Sequence, residues 1–235
     1  MKFCILTTNT IHHAYFISEI EKIFDISYIV YETDKLNFSY KTESNFGKLE
    51  ESFENFFFNQ TEIPDKFKSP VVSVSSVNSK AFKRIAENYE ADFAIVFGCG
   101  KIQPHVFELF HEGMINVHRG ISKKYRGLDS DLWAIYENDF DNIGVTLHYI
   151  DEDLDTGPII FEGGINIPSS IEIFQLRAYT TLLATEQIIE IIYKKLNKVN
   201  FNLIPQKPGR YFSAMPSKEK EECEKILKRY VSNNQ

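Results

Sequence analysis

Asp92-Phe93-Ala94-Ile95-Val96-Phe97 runs through five apolar residues with no polar alternation, then stops at Gly98-Cys99-Gly100. A strand of this kind is apolar on both faces, so both faces must be covered. That is the situation of a central strand in a parallel sheet with helices above and below. Shorter segments repeat the theme. Lys2–Thr7, Ser27–Tyr31, Pro70–Val74 and Gly113–Val117 read as strands. Between them lie helical patterns: from the capping candidates Thr8-Asn9-Thr10 to about Phe24, within Leu49–Phe58, and over Ser79–Tyr89. The alternation predicts an α/β fold, a mostly parallel, doubly wound twisted sheet with helices on both faces.

The second half is read as follows. A long loop spans His118–Asp129, and a short helix covers Asp131–Tyr136. Gly144–Tyr149 and Pro158–Ile167 are a pair of strands flanking an acidic turn at 151–155. Ile171–Leu196 is a long amphipathic helix. The polar tail carries a short strand, Arg210–Ser213, and a charged final helix. We expect one catalytic domain over residues 1–200 and a C-terminal strand and helix extension over 201–235.

With 235 residues, 43% hydrophobic and 25% charged, the chain is long enough for one sizeable core. A formal net charge of -7 disfavours a nucleic-acid partner, which needs excess Lys and Arg. Cys4, Cys99 and Cys223 are far apart and have no Cys-x-x-Cys spacing. We therefore expect no metal site, no disulfide framework and a reducing, cytoplasmic setting. The apolar run at the start is too short for a signal peptide, and nothing approaches the roughly 18 apolar residues of a membrane span.

Glycine placement narrows the ligand. The first of 11 glycines is Gly47, so the turn after the first strand has none. A dinucleotide fold needs Gly-x-Gly-x-x-Gly there to let backbone approach pyrophosphate, which argues against NAD or FAD bound in that way. Nine of the glycines fall between Gly98 and Gly164, where bare backbone can approach a ligand.

Asn116 and His118 are two apart in an extended segment, so their side chains share one face at the end of an otherwise apolar strand. Asp155 follows at the acidic turn. An amide, an imidazole and a carboxylate suffice for acyl transfer to an amine. The amide can stabilise an oxyanion. The imidazole can take the amine proton or donate to the oxyanion. The carboxylate can orient the imidazole or relay a proton, and the residues alone leave these roles open. Cys99, between two glycines and with no base nearby in sequence, is read as a small buried filler.

Asn116-Val117-His118, Tyr125-Arg126-Gly127, Trp133-Ala134-Ile135, Gly144-Val145-Thr146-Leu147-His148 and Leu154-Asp155-Thr156-Gly157-Pro158-Ile159-Ile160 together resemble the folate-dependent formyltransferases, over about residues 92–162. The resemblance implies a Rossmann-like formyltransferase domain that uses 10-formyltetrahydrofolate as cosubstrate and no metal. It places the catalytic groups on Asn116, His118 and Asp155. The folate's pterin would lie against Phe97, Gly98, Gly100, Lys101 and Ile102, under a loop containing Asp151, Glu152 and Asp153.

The family divides by acceptor amine. Its tRNA branch carries an extra C-terminal barrel, and only about 35 residues follow the long helix here. Its glycinamide ribonucleotide branch has a Gly- and Ser-rich loop after the first strand, where this chain reads Thr7-Thr8-Asn9-Thr10. The compact length, Tyr125–Ser130 and the Gly209–Pro216 tail resemble the branch that formylates amino sugars on nucleotides such as dTDP, precursors of surface polysaccharides such as O-antigen. Expected acceptor contacts are Asn9, His12, Lys123, Lys124, Tyr125 and Arg126, the cations suiting a diphosphate. A homodimer through the tail is implied, with Tyr211 and Phe212 needing cover. Two other classes stay open. One is a hydrolase of the same formyl-folate, whose relatives carry an N-terminal regulatory domain for which residues 1–3 leave no room. The other is a folate-binding protein without turnover.

Overall fold

A computed structural model describes residues 1–58, 67–207 and 209–233. Residues 208, 234 and 235 of the expected extension lie outside the described residues. The chain opens with β1 (Phe3–Thr7), α1 (Ile11–Glu21), β2 (Ile29–Glu32), α2 (Gly47–Phe57), β3 (Val71–Val74) and α3 (Lys80–Asn88). It continues with β4 (Phe93–Phe97), α4 (Pro104–Phe107), β5 (Met114–His118), β6 (Tyr125–Gly127) and α5 (Ser130–Tyr136). It closes with β7 (Gly144–Tyr149), β8 (Ile159–Gly164), α6 (Leu176–Leu196), β9 (Arg210–Phe212) and α7 (Ser217–Asn233).

Seven strands form one sheet in the order β3-β2-β1-β4-β5-β7-β8. The first five are parallel, and β7 and β8 are antiparallel additions. Burial on both faces explains the continuous apolar strands. Phe3, Ile5, Ile95 and Ile115 face α1 and α6, packing with Phe16, Ile20, Ile188 and Ile192. Cys4, Leu6, Ala94, Val96 and Met114 face the other way, towards Phe82 of α3 and Val106 of α4. The mostly parallel sheet with helices on both faces is as the sequence predicts.

The departures are local. The predicted helix over 171–196 begins as a 3-10 turn, Ile173–Gln175, with Glu172 and Gln175 capping each other, and becomes α-helical at Leu176. The predicted loop after His118 contains β6, which pairs in parallel with β9 of the tail. The tail residues Phe212, Met215, Cys223, Ile226 and Leu227 share a buried cluster with Tyr125, Leu132 and Ile135. Tail residues from Phe212 to Leu227 thus dock onto α5 and β6.

One ion-pair network ties α2 to α6. Glu54 is fully buried, and Arg177 donates to both of its carboxylate oxygens at 2.6 and 2.9 Å. Glu50 meets the same guanidinium at 2.7 Å. Burial comes first for Glu50 and pushes its carboxyl up to about 7 despite that partner. Removing Arg177 would strand a buried carboxylate, an outcome that costs about 3–5 kcal/mol. Arg177→Ala is therefore expected to lower the unfolding free energy by about that amount, read from the shift of a urea denaturation midpoint.

Candidate active site

The order of the strands reverses between β1 and β4, so loops at their carboxyl ends diverge and leave a crevice. Thr7 Oγ1 donates to Phe97 O at 2.7 Å and holds the two strand ends together at that point. The crevice is a cleft of about 1140 Å³. Thr8, Asn9 and Thr10 line it after β1, and Phe97–Ile102 after β4. Asn116–His118 of β5, Arg119 just after it, His148 of β7 and the acidic turn line it as well.

Antiparallel pairing puts Asn116 opposite His148 and His118 opposite Thr146. The turn after β7 then brings Asp155 over them. Asn116 Nδ2 donates to Asp155 Oδ1 at 3.1 Å and lies 3.2 Å from His148 Nε2. The Gly127 amide donates to Asp155 Oδ2 at 2.8 Å. His118 Nδ1 lies 3.5 Å from Oδ2, and His148 Nε2 lies 3.5 Å from Oδ1. Asp155 is 5% exposed. Burial pushes its carboxyl up, but His118, His148 and the Gly127 amide together outweigh burial and hold it well below the usual carboxylate range.

The outer bonds of the two imidazoles set their protons. His118 Nε2 faces Tyr125 O at 2.8 Å, so Nε2 carries hydrogen and Nδ1 points towards Asp155. His148 Nδ1 faces Tyr149 O at 2.8 Å, so its Nε2 lone pair is free to accept from Asn116. Both amide hydrogens of Asn116 are therefore engaged. His148 is a site residue that the sequence reading quoted only within a motif. Its signal was the polar end of an otherwise apolar strand, the feature that singled out His118.

The predicted folate edge is assembled. Phe97, Gly98, Gly100, Lys101, Ile102, Asp151 and Asp153 all line the cleft, whereas Glu152 does not. Gly98 has a φ of +83°, and a Cβ there would come within 2.6 Å of the His13 ring. Glu32, at the end of β2, accepts from the amides of Gly100 (2.8 Å) and Val77 (2.9 Å), so its carboxylate shapes this loop. Thr156 Oγ1 donates to Asp151 at 2.6 Å and braces the acidic turn. Cys99 is half-buried and lines the cleft, not sealed as the filler expected from sequence, and burial with Glu32 beside it pushes its thiol well up, which disfavours a nucleophile.

The expected acceptor contacts are not brought together. Asn9 lines the cleft. His12 lies behind it, 6% exposed, its Nδ1 3.2 Å from Thr10 Oγ1 and 3.5 Å from Glu54. Burial, then Arg177 and Arg119, hold its imidazole far below the ordinary range, so it is neutral. Lys123 pairs with Glu162 at 3.2 Å and Lys124 with Asp139 at 3.1 Å. Tyr125 is buried, its hydroxyl donating towards Glu137 and Asp139. Arg126 donates to main-chain carbonyls. None of these four lines the cleft, because the chain turns away after Gly120 so that β6 can meet β9. The cation beside His118 that does line it is Arg119, with Asp131 3.7 Å away. The tail contributes Tyr211, 53% exposed, at the cleft, while Phe212 is covered within the chain. Among the described residues no cluster of His, Cys, Asp and Glu could hold a metal, and no helix is long and apolar enough to cross a membrane.

Residues 49–192, more than half the chain, match the family model described as formyl transferase. A methionyl-tRNA formyltransferase from Thermodesulfovibrio yellowstonii is 32% identical over 140 residues, covering 59% of this chain and 44% of that protein. The chain thus spans less than half the length of that relative. A 4-N formyltransferase from Francisella tularensis shares the fold with a TM-score of 0.62 at 20% identity, covering 90% of this chain and 76% of that one. An N-formyltransferase from Helicobacter canadensis, solved with folinic acid and dTDP-3-aminofucose, gives 0.59 at 19% identity, covering 91% and 71%.

The low proton affinity of Asp155 has a sign that stability measurements can read. A carboxylate held below its unfolded value of about 3.9 contributes stability above that pH and loses it as the pH falls towards the folded value. Asp155→Asn is expected to be less stable than the parent at pH 7. The gap should narrow below about pH 4 in denaturation midpoints taken across that range.

Proposed function

This chain belongs to the formyl transferase family, and on that premise we propose that it transfers a formyl group from 10-formyltetrahydrofolate to the amine of a nucleotide-linked amino sugar. The observation that carries the reading is the convergence of Asn116, His118 and Asp155 at one end of the cleft. The pterin lies along Phe97–Ile102 and under Asp151 and Asp153, with the formyl carbon over Asn116.

The amine nitrogen bonds to the formyl carbon and charge grows on the formyl oxygen. Asn116 Nδ2 turns to that oxygen the hydrogen it otherwise gives to His148, the longer of its two contacts at 3.2 Å. His118 Nδ1, which carries no hydrogen while Nε2 donates to Tyr125 O, takes the amine proton. The ionised Asp155 is too weak a base to compete, and it stabilises the imidazolium so formed. His118 then returns the proton to the folate nitrogen as its bond to the formyl carbon breaks. The carboxylate's role is thus orientation and charge stabilisation.

For the acceptor, support comes from charge and shape. The net charge of -7 and the carboxylates Glu32, Glu51 and Asp129 in the cleft disfavour a polyanion such as tRNA. One guanidinium beside His118 suits a small phosphate-bearing amine, and Tyr211 offers a ring in the same cleft. The Helicobacter canadensis protein, solved with a nucleotide-linked amino sugar, has the same fold.

The test is an assay of 10-formyltetrahydrofolate with and without a panel of amino-sugar nucleotides and glycinamide ribonucleotide. Sugar-dependent release of tetrahydrofolate supports the reading. Release without amine makes the protein a hydrolase, and binding without release makes it non-catalytic. Asn116→Ala is expected to fold normally by circular dichroism and to lose about 10²–10³ in kcat, the usual effect of deleting one oxyanion donor. Arg119→Ala should raise the KM for the sugar nucleotide about tenfold or more, with the KM for the formyl donor changed less than about twofold. Equal effects on both substrates would remove Arg119 from the acceptor site.

A further inference from the structure

We propose that Arg126 is a positioning residue of the formyl-transfer centre, one that locks the Asp155 turn to the C-terminal strand. The proposal rests on the formyl-transfer reading above. Arg126 Nε donates to Gly209 O at 2.7 Å, and one terminal nitrogen donates to Leu154 O at 3.1 Å. The first bond reaches the tail just before β9. The second reaches the peptide that leads into Asp155. That aspartate has a φ of +53°, in the left-handed region, where a residue with a Cβ persists only if its surroundings hold it.

The neighbours of Arg126 act on the same centre. Tyr125 O accepts from His118 Nε2 at 2.8 Å, and the Gly127 amide donates to Asp155 Oδ2 at 2.8 Å. All three residues of β6 therefore bear on the His118–Asp155 pair. Yet β6 pairs only with β9, in a two-stranded sheet separate from the main one. Two such short strands are not self-supporting. The Arg126 fork couples this small sheet to the turn that carries Asp155. Gly127 allows the close fit, with a φ of +95° and with Phe212 O only 2.2 Å from where a Cβ would sit. Arg126 does not line the cleft, so it acts through Asp155 and not on a ligand. Two bonds in diverging directions need a planar guanidinium, which lysine does not reproduce.

The experiment compares the full chain with Arg126→Ala and Arg126→Lys. It measures kcat, the KM of each substrate, and hydrogen exchange at the Gly127 amide. We expect kcat to fall about 10–100-fold in both variants, as for a misplaced catalytic group, with both KM values within about threefold. Gly127 amide protection should drop about tenfold or more in both. Emission of the single tryptophan, Trp133, reports tail docking, since its ring centre lies 5.1 Å from that of Phe212 and its Nε1 donates to Ser213 O at 3.0 Å. An unchanged spectrum in Arg126→Lys, with kcat down, separates positioning from loss of fold. Should Arg126→Ala not fold, Arg126→Lys carries the same readings. Unchanged kcat overturns the proposal. So does a rise in acceptor KM that Arg126→Lys repairs, because charge alone would then suffice and Arg126 would be a phosphate ligand. If the parent protein turns over no amine, the formyl-transfer reading fails. The Gly127 exchange, which needs no substrate, still decides whether Arg126 holds the Asp155 turn.

Discussion

One buried carboxylate sets the terms for the carboxyl-end cleft of this molecule. Asp155 is almost sealed from water and ionised, a state that an apolar surrounding would oppose by several kcal/mol. The compensation comes from four directions: the amide of Asn116, the imidazoles of His118 and His148, and the main chain at Gly127. The antiparallel register of β5 and β7 delivers three of them on one face, and β6 delivers the fourth. The left-handed turn at Asp155 is the backbone geometry that aims the carboxylate into their midst.

Away from that point the fold follows the hydrophobic effect in its simplest form. Strands that are apolar on both faces alternate Ile5 and Leu6, or Ile95 and Val96, between two helical layers. That is why the architecture was legible from the pattern of Phe93–Phe97 and its neighbours alone. Asn116 and His118 were legible for the converse reason, since polar side chains at the end of an apolar strand have no packing role. Asp155 was legible through the acidic turn at 151–155 and the Leu154-Asp155-Thr156-Gly157-Pro158 motif that carries the family resemblance.

The acceptor side was less legible, and the reason is topological. Lys123, Lys124 and Arg126 follow His118 closely in sequence, and closeness in sequence suggested closeness to the ligand. Parallel pairing of β6 with β9 rotates that segment outward, and the nearby carboxylates Glu162 and Asp139 take up its lysines. Pairing between strands as far apart in sequence as Tyr125 and Arg210 leaves no local signature. Arg119 remained at the cleft because it precedes the turn at Gly120. His12 was drawn inward by Glu54 of α2, another distant partner.

The pairing of β6 with β9 also has a consequence in time. Ribosomal synthesis releases the chain from its amino end, and the parallel sheet can begin to form as β1 to β5 emerge. The carbonyl that orients His118 and the amide that steadies Asp155 both lie on β6, whose strand partner β9 begins only at Arg210. Contacts of such long sequence separation are slow to close. A nascent chain therefore has its sheet well before β6 is paired, and a stall upstream of Gly209 would leave a folded sheet whose His118 and Asp155 lack the anchored strand that holds them.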